Sequence, residues 1–297
     1  MSTVFLVNPA SANGSTGRRW PVLAREAADL GLRGDALISE RPGHINELVV
    51  EAVQGGATRL AVVGGDGTVH EAVNGLMRAD GSDVELAVLS RGTGTDFARS
   101  LDLPRKFEDA VRVALNGRTR TIDAGLVRFH NGEAWFANFA GAGISGAIAR
   151  DANDSSKALG GRVSFMVSTV KVFSRWKSAA VEAAVEGQTR NGPMFEIVAM
   201  NGPYAAGGMR IAPEASLEDG LLDCVFFGDI TKVDFVTTFP KIYSGRHLAH
   251  PKIELVRGAN VTIEADPPLP VVLDGEQPGT TPATFEVVPR ALRLRVP

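Results

Sequence analysis

Apolar runs alternate with polar, glycine-rich breaks through the first part of the chain. Thr3–Val7 is apolar and ends in "NPASANGSTG". Arg18–Gly31 has helical spacing, Asp35–Ser39 is a second strand, and His44–Gly55 is a second helix. Arg59–Val63 predicts a third strand, "GGDGT" a loop, and Val69–Met77 the helix behind it. Val84–Leu89 is a fourth strand, followed by "SRGTGTD" and short helices through Asn116. This strand–loop–helix repetition predicts a parallel sheet with helices on both faces. Ligands of such sheets sit at the carboxyl ends of the strands, so the loops at 8–17, 64–68 and 90–95 should open onto one edge.

From about Thr121 the pattern changes. Short β-type runs recur, among them "TIDAGLVRF", "EAWFANFA", "FEIVAMNG", "LLDCVFF", "NVTIEA" and "LRLRV". Few helices intervene, the clearest being Arg162–Trp176 and Lys232–Tyr243. The fold class expected is an α/β N-terminal domain, residues 1–125, followed by a β-rich, mostly antiparallel, sandwich-like C-terminal domain, residues 126–297. The last strand is free to return to the N-terminal domain.

Composition narrows the partners. The chain has 297 residues and a formal net charge of −3, so no bulk electrostatic attraction to nucleic acid is expected. A single cysteine, Cys224, excludes an intramolecular disulfide and fits a reducing, cytoplasmic setting. It reads as a core residue. "MSTVFLVNPASANG" lacks the basic start and apolar length of a secretory signal. Ala134–Ala149 is too short, and too broken by glycine, to span a bilayer.

The stretch "AVVGGDGTVHEAVNG", residues 61–75, sets the chemical question. A strand–glycine–helix junction offers N–H groups to an anion, yet Asp66 would repel a bare phosphate. Either a hydrated divalent cation lies between them, or Asp66 caps the next helix. No G-x-x-x-x-G-K-[ST] occurs, so a P-loop is not supported. "GAGISG", Gly141–Gly146, matches the spacing of a dinucleotide fingerprint. It falls in the antiparallel half and reads as a tight strand-to-helix packing turn. The five histidines show no metal-ligand spacing, and His70 reads as solvated surface. Arg162–Lys177 is apolar on more than one face, which suits packing between sheets or contact with a membrane surface.

Several segments in order resemble one family. "GGDGTVHEAVNG" is similar to the glycine-rich signature of the diacylglycerol kinase catalytic fold, which includes bacterial lipid kinases and sphingosine kinases. A looser form of that signature occurs in NAD kinases and phosphofructokinases. "NPASANG" resembles the family's first nucleotide loop, "RGTGTDFARSL" its G-T-x-N-D-F-A-R segment, and "NGPYAAGGMRIAPEASLEDGLLDC" its second domain. "LDGE", Leu273–Glu276, matches the segment that carries its general base.

The resemblance implies an ATP- and Mg²⁺-dependent lipid kinase that transfers the γ-phosphate to a hydroxyl of a lipid such as diacylglycerol. The implied ATP site comprises Asn8, Ser39, Gly65, Asp66, Gly67, Thr68, Val69, His70, Glu71 and Thr93. Asp66 would work with Mg²⁺ and the phosphates, and Glu276 would be the base. A second, structural Mg²⁺ would involve the Asp219 side chain and the carbonyls of Ser216 and Leu221. A lipid substrate implies peripheral membrane contact, and a homodimer stays open. Ser90 and Thr95 stand where the family usually has Pro and Asn, and Ser39 replaces its usual Thr. The glycine loop also permits phosphorylation of a soluble hydroxyl in the manner of NAD kinase, and the departures at Ser90 and Thr95 keep open a non-catalytic nucleotide or lipid binder.

Overall fold

A computed structural model describes residues 2–92, 95–154 and 161–297, with only the backbone described for 153–154 and 161–166. The chain forms two compact units. One comprises Met1–Asp123 with Arg290–Pro297, the other Ala124–Pro289.

The first unit runs β1 (Thr3–Val7), α1 (Ser15–Asp29), β2 (Asp35–Ile38), α2 (His44–Gln54), β3 (Arg59–Gly64), α3 (Asp66–Arg78), β4 (Glu85–Ser90), α4 (Asp96–Ser100) and α5 (Phe107–Asn116), then enters β5 (Arg118–Phe129). β1 lies parallel between β2 and β3, with Val7 opposite Ile38 and Val63. β3 continues parallel to β4, pairing Arg59 with Glu85 and Gly64 with Ser90. Phe5, Val7, Ala61, Val63, Ala87 and Leu89 face Trp20 and Leu23 of α1 and Phe107 and Val111 of α5 in one apolar cluster. The intervening Leu6, Leu60, Val62, Leu86 and Val88 are also buried, on the face that α2 and α3 contact. Because both faces are covered, these strands read as continuous apolar runs.

One boundary differs from expectation in a way that matters for the site. α3 begins at Asp66, three residues before the predicted Val69. Gly65 is extended (φ −98°, ψ −170°) and stands as the N-cap, and Asp66 opens the first turn, where a negative side chain favours the helix dipole. "GGDGT" is therefore a helix start rather than a loop. His70 is a second correction. It is 9% exposed, because α3 packs against β3 on one side and α2 on another.

The second unit continues with β6 (Gly132–Phe136), β7 (Phe139–Gly143), α6 (Ile144–Asp154), α7 (Gly161–Arg175), β8 (Ala179–Val185), β9 (Gln188–Met194), β10 (Glu196–Met200), β11 (Leu222–Phe227), α8 (Lys232–Ile242), β12 (Ile253–Gly258), β13 (Asn260–Asp266), β14 (Pro270–Leu273), β15 (Glu276–Thr280) and β16 (Ala283–Val296). One antiparallel sheet has the order β12-β11-β10-β7-β14-β15. β13 pairs antiparallel with β8 and with the first half of β16. Ala140, Ile197, Cys224 and Leu273 from the first of these layers share a core with Val181, Ile263 and Phe285 from the second, as in a β-sandwich. Burial pushes the Cys224 thiol up to about 12, so it is an inert core residue. The other face of the six-stranded sheet is covered by Ile144 and Ile148 of α6, Phe173 of α7 and Ile242 of α8. The later residues of β16 leave this unit, where Arg293 and Leu294 run parallel to Glu85 and Leu86 of β4.

"GAGISG" is a packing turn, as expected, and the structure gives the reason. β7 is antiparallel to β10 and β14, and the N-terminus of α6 is already filled by a carboxyl group. Glu196, 5% exposed, accepts hydrogen bonds from the Ser145 N–H (2.8 Å) and hydroxyl (2.5 Å). A side chain at Gly143 would meet Glu196 Oε2 at 2.7 Å, so glycine is what admits the carboxylate.

Burial raises Glu196 from its usual 4.5 to about 7, against the opposing hydrogen bonds from Ser145. The folded chain therefore keeps a proton that the unfolded chain releases, and this contribution to stability is lost as pH rises from about 4.5 to about 7. Glu196→Gln should remove that dependence. Thermal melts across the window should show the variant gaining about 3 kcal/mol relative to the wild type; parallel pH curves would contradict the assignment.

Candidate functional site

At the carboxyl edge of the first unit's sheet, hydrogen bonds draw three chain segments together. The Asn8 N–H donates to the Val63 carbonyl at 3.1 Å. Its side chain accepts from the Ala10 N–H at 3.0 Å and donates to Thr68 Oγ1 at 3.0 Å. Asn8 thus folds its own loop and fixes the first turn of α3. The Arg91 N–H donates to the Gly64 carbonyl at 2.6 Å, which holds the segment after β4 against the same turn. A Cβ built on Gly64 would overlap the Thr68 side chain, and one on Gly65 would lie 3.5 Å from Gly92 Cα. Glycine at these positions lets backbone and hydroxyl approach closely. Asp66 Oδ2 accepts the Asp96 N–H at 3.2 Å, which places a second carboxyl-bearing residue, 6% exposed, beside the first.

The structure sorts the predicted nucleotide residues. Asn8, Gly65, Asp66, Gly67 and Thr68 come together at this edge. Val69 turns into the core at 3% exposure. His70 sits along α3 beside Asn74, 3.4 Å from its Nδ2. Ser39 follows β2, its N–H bonded to the Val7 carbonyl at 2.9 Å. Both Glu71 oxygens are engaged by the start of α2, accepting from the Gly43 N–H at 3.0 Å and the Ile45 N–H at 3.1 Å. Gly43 is left-handed and supplies no side-chain cap, so Glu71 does that work from the neighbouring helix. Thr93 lies outside the described residues. Ser90 pairs with Gly64 at the end of β4, and Thr95 is the N-cap of α4 without a side-chain cap bond.

In the second unit, Glu276 is the first residue of β15 and pairs with Leu273 across a two-residue turn. Asp274 (φ 49°) and Gly275 (φ 104°) are both left-handed, the requirement of a tight hairpin that Asp-Gly meets. The Asp274 carboxylate accepts three backbone N–H groups, from Ala137 (2.7 Å), Asn138 (3.1 Å) and Phe139 (2.9 Å). That clamp ties the turn to the start of β7, and Glu276 projects from it exposed to solvent. Sequence reasoning passed over Asp274; the Asp-Gly dipeptide before Glu276 was its signal. Ser216, Asp219 and Leu221 lie in the segment before β11. Asp219 accepts the Leu221 N–H at 3.1 Å, and its other oxygen is paired with Arg257. Arg257 also lies 3.4 Å from the buried Asp223.

Comparison with known proteins decides the family. Residues 2–127 match the diacylglycerol kinase catalytic domain. Residues 138–296, more than half the chain, match the YegS C-terminal NAD kinase beta sandwich-like domain. The chain belongs to the diacylglycerol kinase catalytic-domain family. It is 28% identical over 301 residues to a protein named "Diacylglycerol kinase" from Mycobacterium tuberculosis (strain CDC 1551 / Oshkosh), covering 98% of this chain and 94% of that one. It is 29% identical over 243 residues to a protein named "Putative lipid kinase" from Staphylococcus aureus (strain Newman), covering 79% and 76%. A crystal structure of a "putative diacylglycerol kinase" from Bacillus anthracis shares the fold with a TM-score of 0.82 at 21% identity, covering 100% of this chain and 95% of that one.

Membership in this kinase family makes a nucleotide and Mg²⁺ the groups to test against the residues present. The Asn8–Asp66–Asp96 edge fits both. Glycines clear the approach to the start of α3, whose first N–H groups have no acceptor within the helix. Asp66 supplies a hard carboxylate of the kind Mg²⁺ takes beside phosphate, whereas the buried Asp96 carboxylate lies 3.6 Å from Arg99 Nη1 in an ion pair. The described residues contain no group of three or more His, Cys, Asp or Glu side chains placed to hold a metal alone. Asp219 fits a cation less well, since its carboxylate is in an ion pair with Arg257.

The Glu71 contacts have a measurable consequence. Glu71→Ala should lower stability by about 1.5–3 kcal/mol, the usual loss for hydrogen bonds to a charged acceptor. The loss should appear in thermal melts without nucleotide or metal; an unchanged melting temperature would remove its role as the cap of α2.

Proposed function

We propose that this chain transfers the γ-phosphoryl group of ATP to a hydroxyl of a lipid, diacylglycerol being the leading candidate. The observation that carries the reading is the Asp66 carboxylate at the first turn of α3, among glycines and bonded to the Asp96 N–H. A carboxylate there is compatible with polyphosphate only when a cation screens it. Family membership and the names of the relatives support the substrate class.

The roles follow from the groups available. The N–H groups at the start of α3 bind phosphate oxygens with the help of the helix dipole. Asn8 holds Thr68 and keeps that turn in place. Asp66, with Asp96 beside it, would hold Mg²⁺, which when bound neutralises charge on the phosphates. Glu276 accepts the proton of the acceptor hydroxyl as the new P–O bond forms and the bond from the γ-phosphorus to the bridging oxygen breaks to release ADP, a contribution of about 10²–10⁴-fold. Its Asp274-clamped turn fixes where the carboxylate points, and its exposure leaves it accessible. A structural Mg²⁺ at Ser216, Asp219 and Leu221 requires Arg257 to release Asp219.

A second reading has one specific support. The second unit's family description refers to NAD kinase, so a soluble hydroxyl such as that of NAD belongs in the test. Labelled ATP is offered with a panel of dispersed lipids and, separately, with NAD. Label should move to a lipid. Glu276→Gln should lower kcat by about 10²–10⁴-fold while nucleotide still raises the melting temperature. Asp66→Asn should abolish the Mg²⁺-dependent part of that rise. Transfer to NAD alone would favour the second reading, and nucleotide stabilisation without transfer to any acceptor would make the chain a binder.

A further inference from the structure

Residues 201–221 join β10 to β11 without a helix or strand of their own, apart from an isolated bridge between Ala205 and Met209. So long an irregular stretch inside a compact unit needs fixed points. At its start they come from the backbone: the N–H groups of Asn201 and Gly202 donate to the Asn138 carbonyl at 2.9 and 3.0 Å. Its end is a tight turn, with Gly220 left-handed (φ 71°) and the Leu221 N–H donating to Asp219 Oδ1 at 3.1 Å.

Charge closes that turn. Arg257 on β12 stands directly across from Asp223 on β11, and its guanidinium reaches two acids. Nη2 is paired with Asp219 Oδ2, and Nε lies 3.4 Å from Asp223 Oδ2. Asp223 is 1% exposed, where a carboxylate deprived of its cation is strongly destabilising. A guanidinium suits this place because its planar fork can serve two carboxylates at once.

Both Asp219 oxygens are therefore taken, one by the Leu221 N–H and one by Arg257. Mg²⁺ requires a carboxylate oxygen at about 2.0–2.1 Å in near-octahedral geometry, and a guanidinium in contact with the same oxygen repels it. The turn at Ser216, Asp219 and Leu221, which the family resemblance links to a structural Mg²⁺, already has a cation from the chain itself.

We propose that Arg257 takes the place of a structural metal in the second unit, its guanidinium fixing the turn before β11. The inference goes beyond the kinase reading and does not rest on it. The staple acts along a row of the sheet. Asp223 pairs with Met200 of β10, Met200 pairs with Phe139 of β7, and the Asp274 N–H donates to the Phe139 carbonyl at 3.0 Å. Arg257 thus anchors the same end of the six-stranded sheet that carries the Asp274 turn and Glu276. Any Mg²⁺ requirement of the chain then belongs to the Asp66 edge.

The test is a set of thermal melts of the full chain without nucleotide, in EDTA and in excess Mg²⁺. The wild type should show no Mg²⁺ effect that Asp219→Asn removes. Arg257→Gln should melt about 10 °C lower than the wild type in EDTA, the effect of leaving the buried Asp223 without its cation, and Mg²⁺ should return part of the loss. Adding Asp219→Asn to Arg257→Gln should abolish that rescue. Arg257→Lys, which keeps the charge without the fork, should melt between the wild type and Arg257→Gln and gain nothing from Mg²⁺. If Arg257→Gln does not fold in EDTA, its refolding yield with and without Mg²⁺ is read in place of the melt. A wild type stabilised by Mg²⁺, with the gain lost in Asp219→Asn, would overturn the proposal, because a metal would then hold the turn. So would an Arg257→Gln variant that melts like the wild type in EDTA, or one that Mg²⁺ fails to rescue. No melt involves a phosphoryl acceptor, so failure of the kinase reading would leave these outcomes as they stand.

Discussion

The recurring interaction in this molecule is a carboxylate that accepts backbone N–H groups from a segment lacking regular partners. Glu71 takes two from the start of α2, Asp274 three from the approach to β7, and Glu196 caps α6. Asp66 holds the start of α4. Buried amide groups must be paired, and helix starts and tight turns leave several without an internal acceptor. A carboxylate has enough lone pairs to serve more than one. These acids set the positions of the glycine-rich segments, which contribute almost no side-chain packing of their own.

This divides the acids of both units into two kinds. Glu71 and Asp274 have their oxygens committed to backbone and act by positioning. Glu276 projects freely from the turn that Asp274 holds. Asp66 is intermediate: one oxygen receives the Asp96 N–H, while the residue stands at a helix start that attracts anions. Glu196 occupies the corresponding place on α6 and so makes that helix unavailable to phosphate. Two similar glycine-rich junctions thus differ because one is filled by its own buried carboxyl group and the other is not.

The parallel sheet was legible because both faces of β1, β3 and β4 are apolar, and α1 and α2 run into glycines, Gly31 and Gly55. The sandwich half was legible from the spacing of its short strands. The start of α3 was not, because glycine lowers helix propensity while the N-terminal turn tolerates it once Gly65 is extended. His70 read as surface because its burial comes from two neighbours, α2 and β3, that local spacing does not reveal. Asn8, Gly65, Asp66, Gly67 and Thr68 were grouped through motif order, and the fold sets Asn8 against Thr68. The commitment of Glu71 to α2 depends on a contact 26 to 28 residues away, and nothing in its immediate sequence announces it. Glu196 lies inside an apolar strand pattern, and only the fold shows that Ser145 meets it.

β16 gives the chain an unusual order of assembly. Arg290–Pro297 belongs to the first unit, yet the ribosome makes these residues after every residue of the second. Domains generally fold as units from the amino end during synthesis, but here the leading one must wait, with the edge of β4 uncovered, until translation has passed the whole sandwich. The polypeptide therefore closes its earliest-made half last, which links completion of the nucleotide-type fold to delivery of a full-length partner domain.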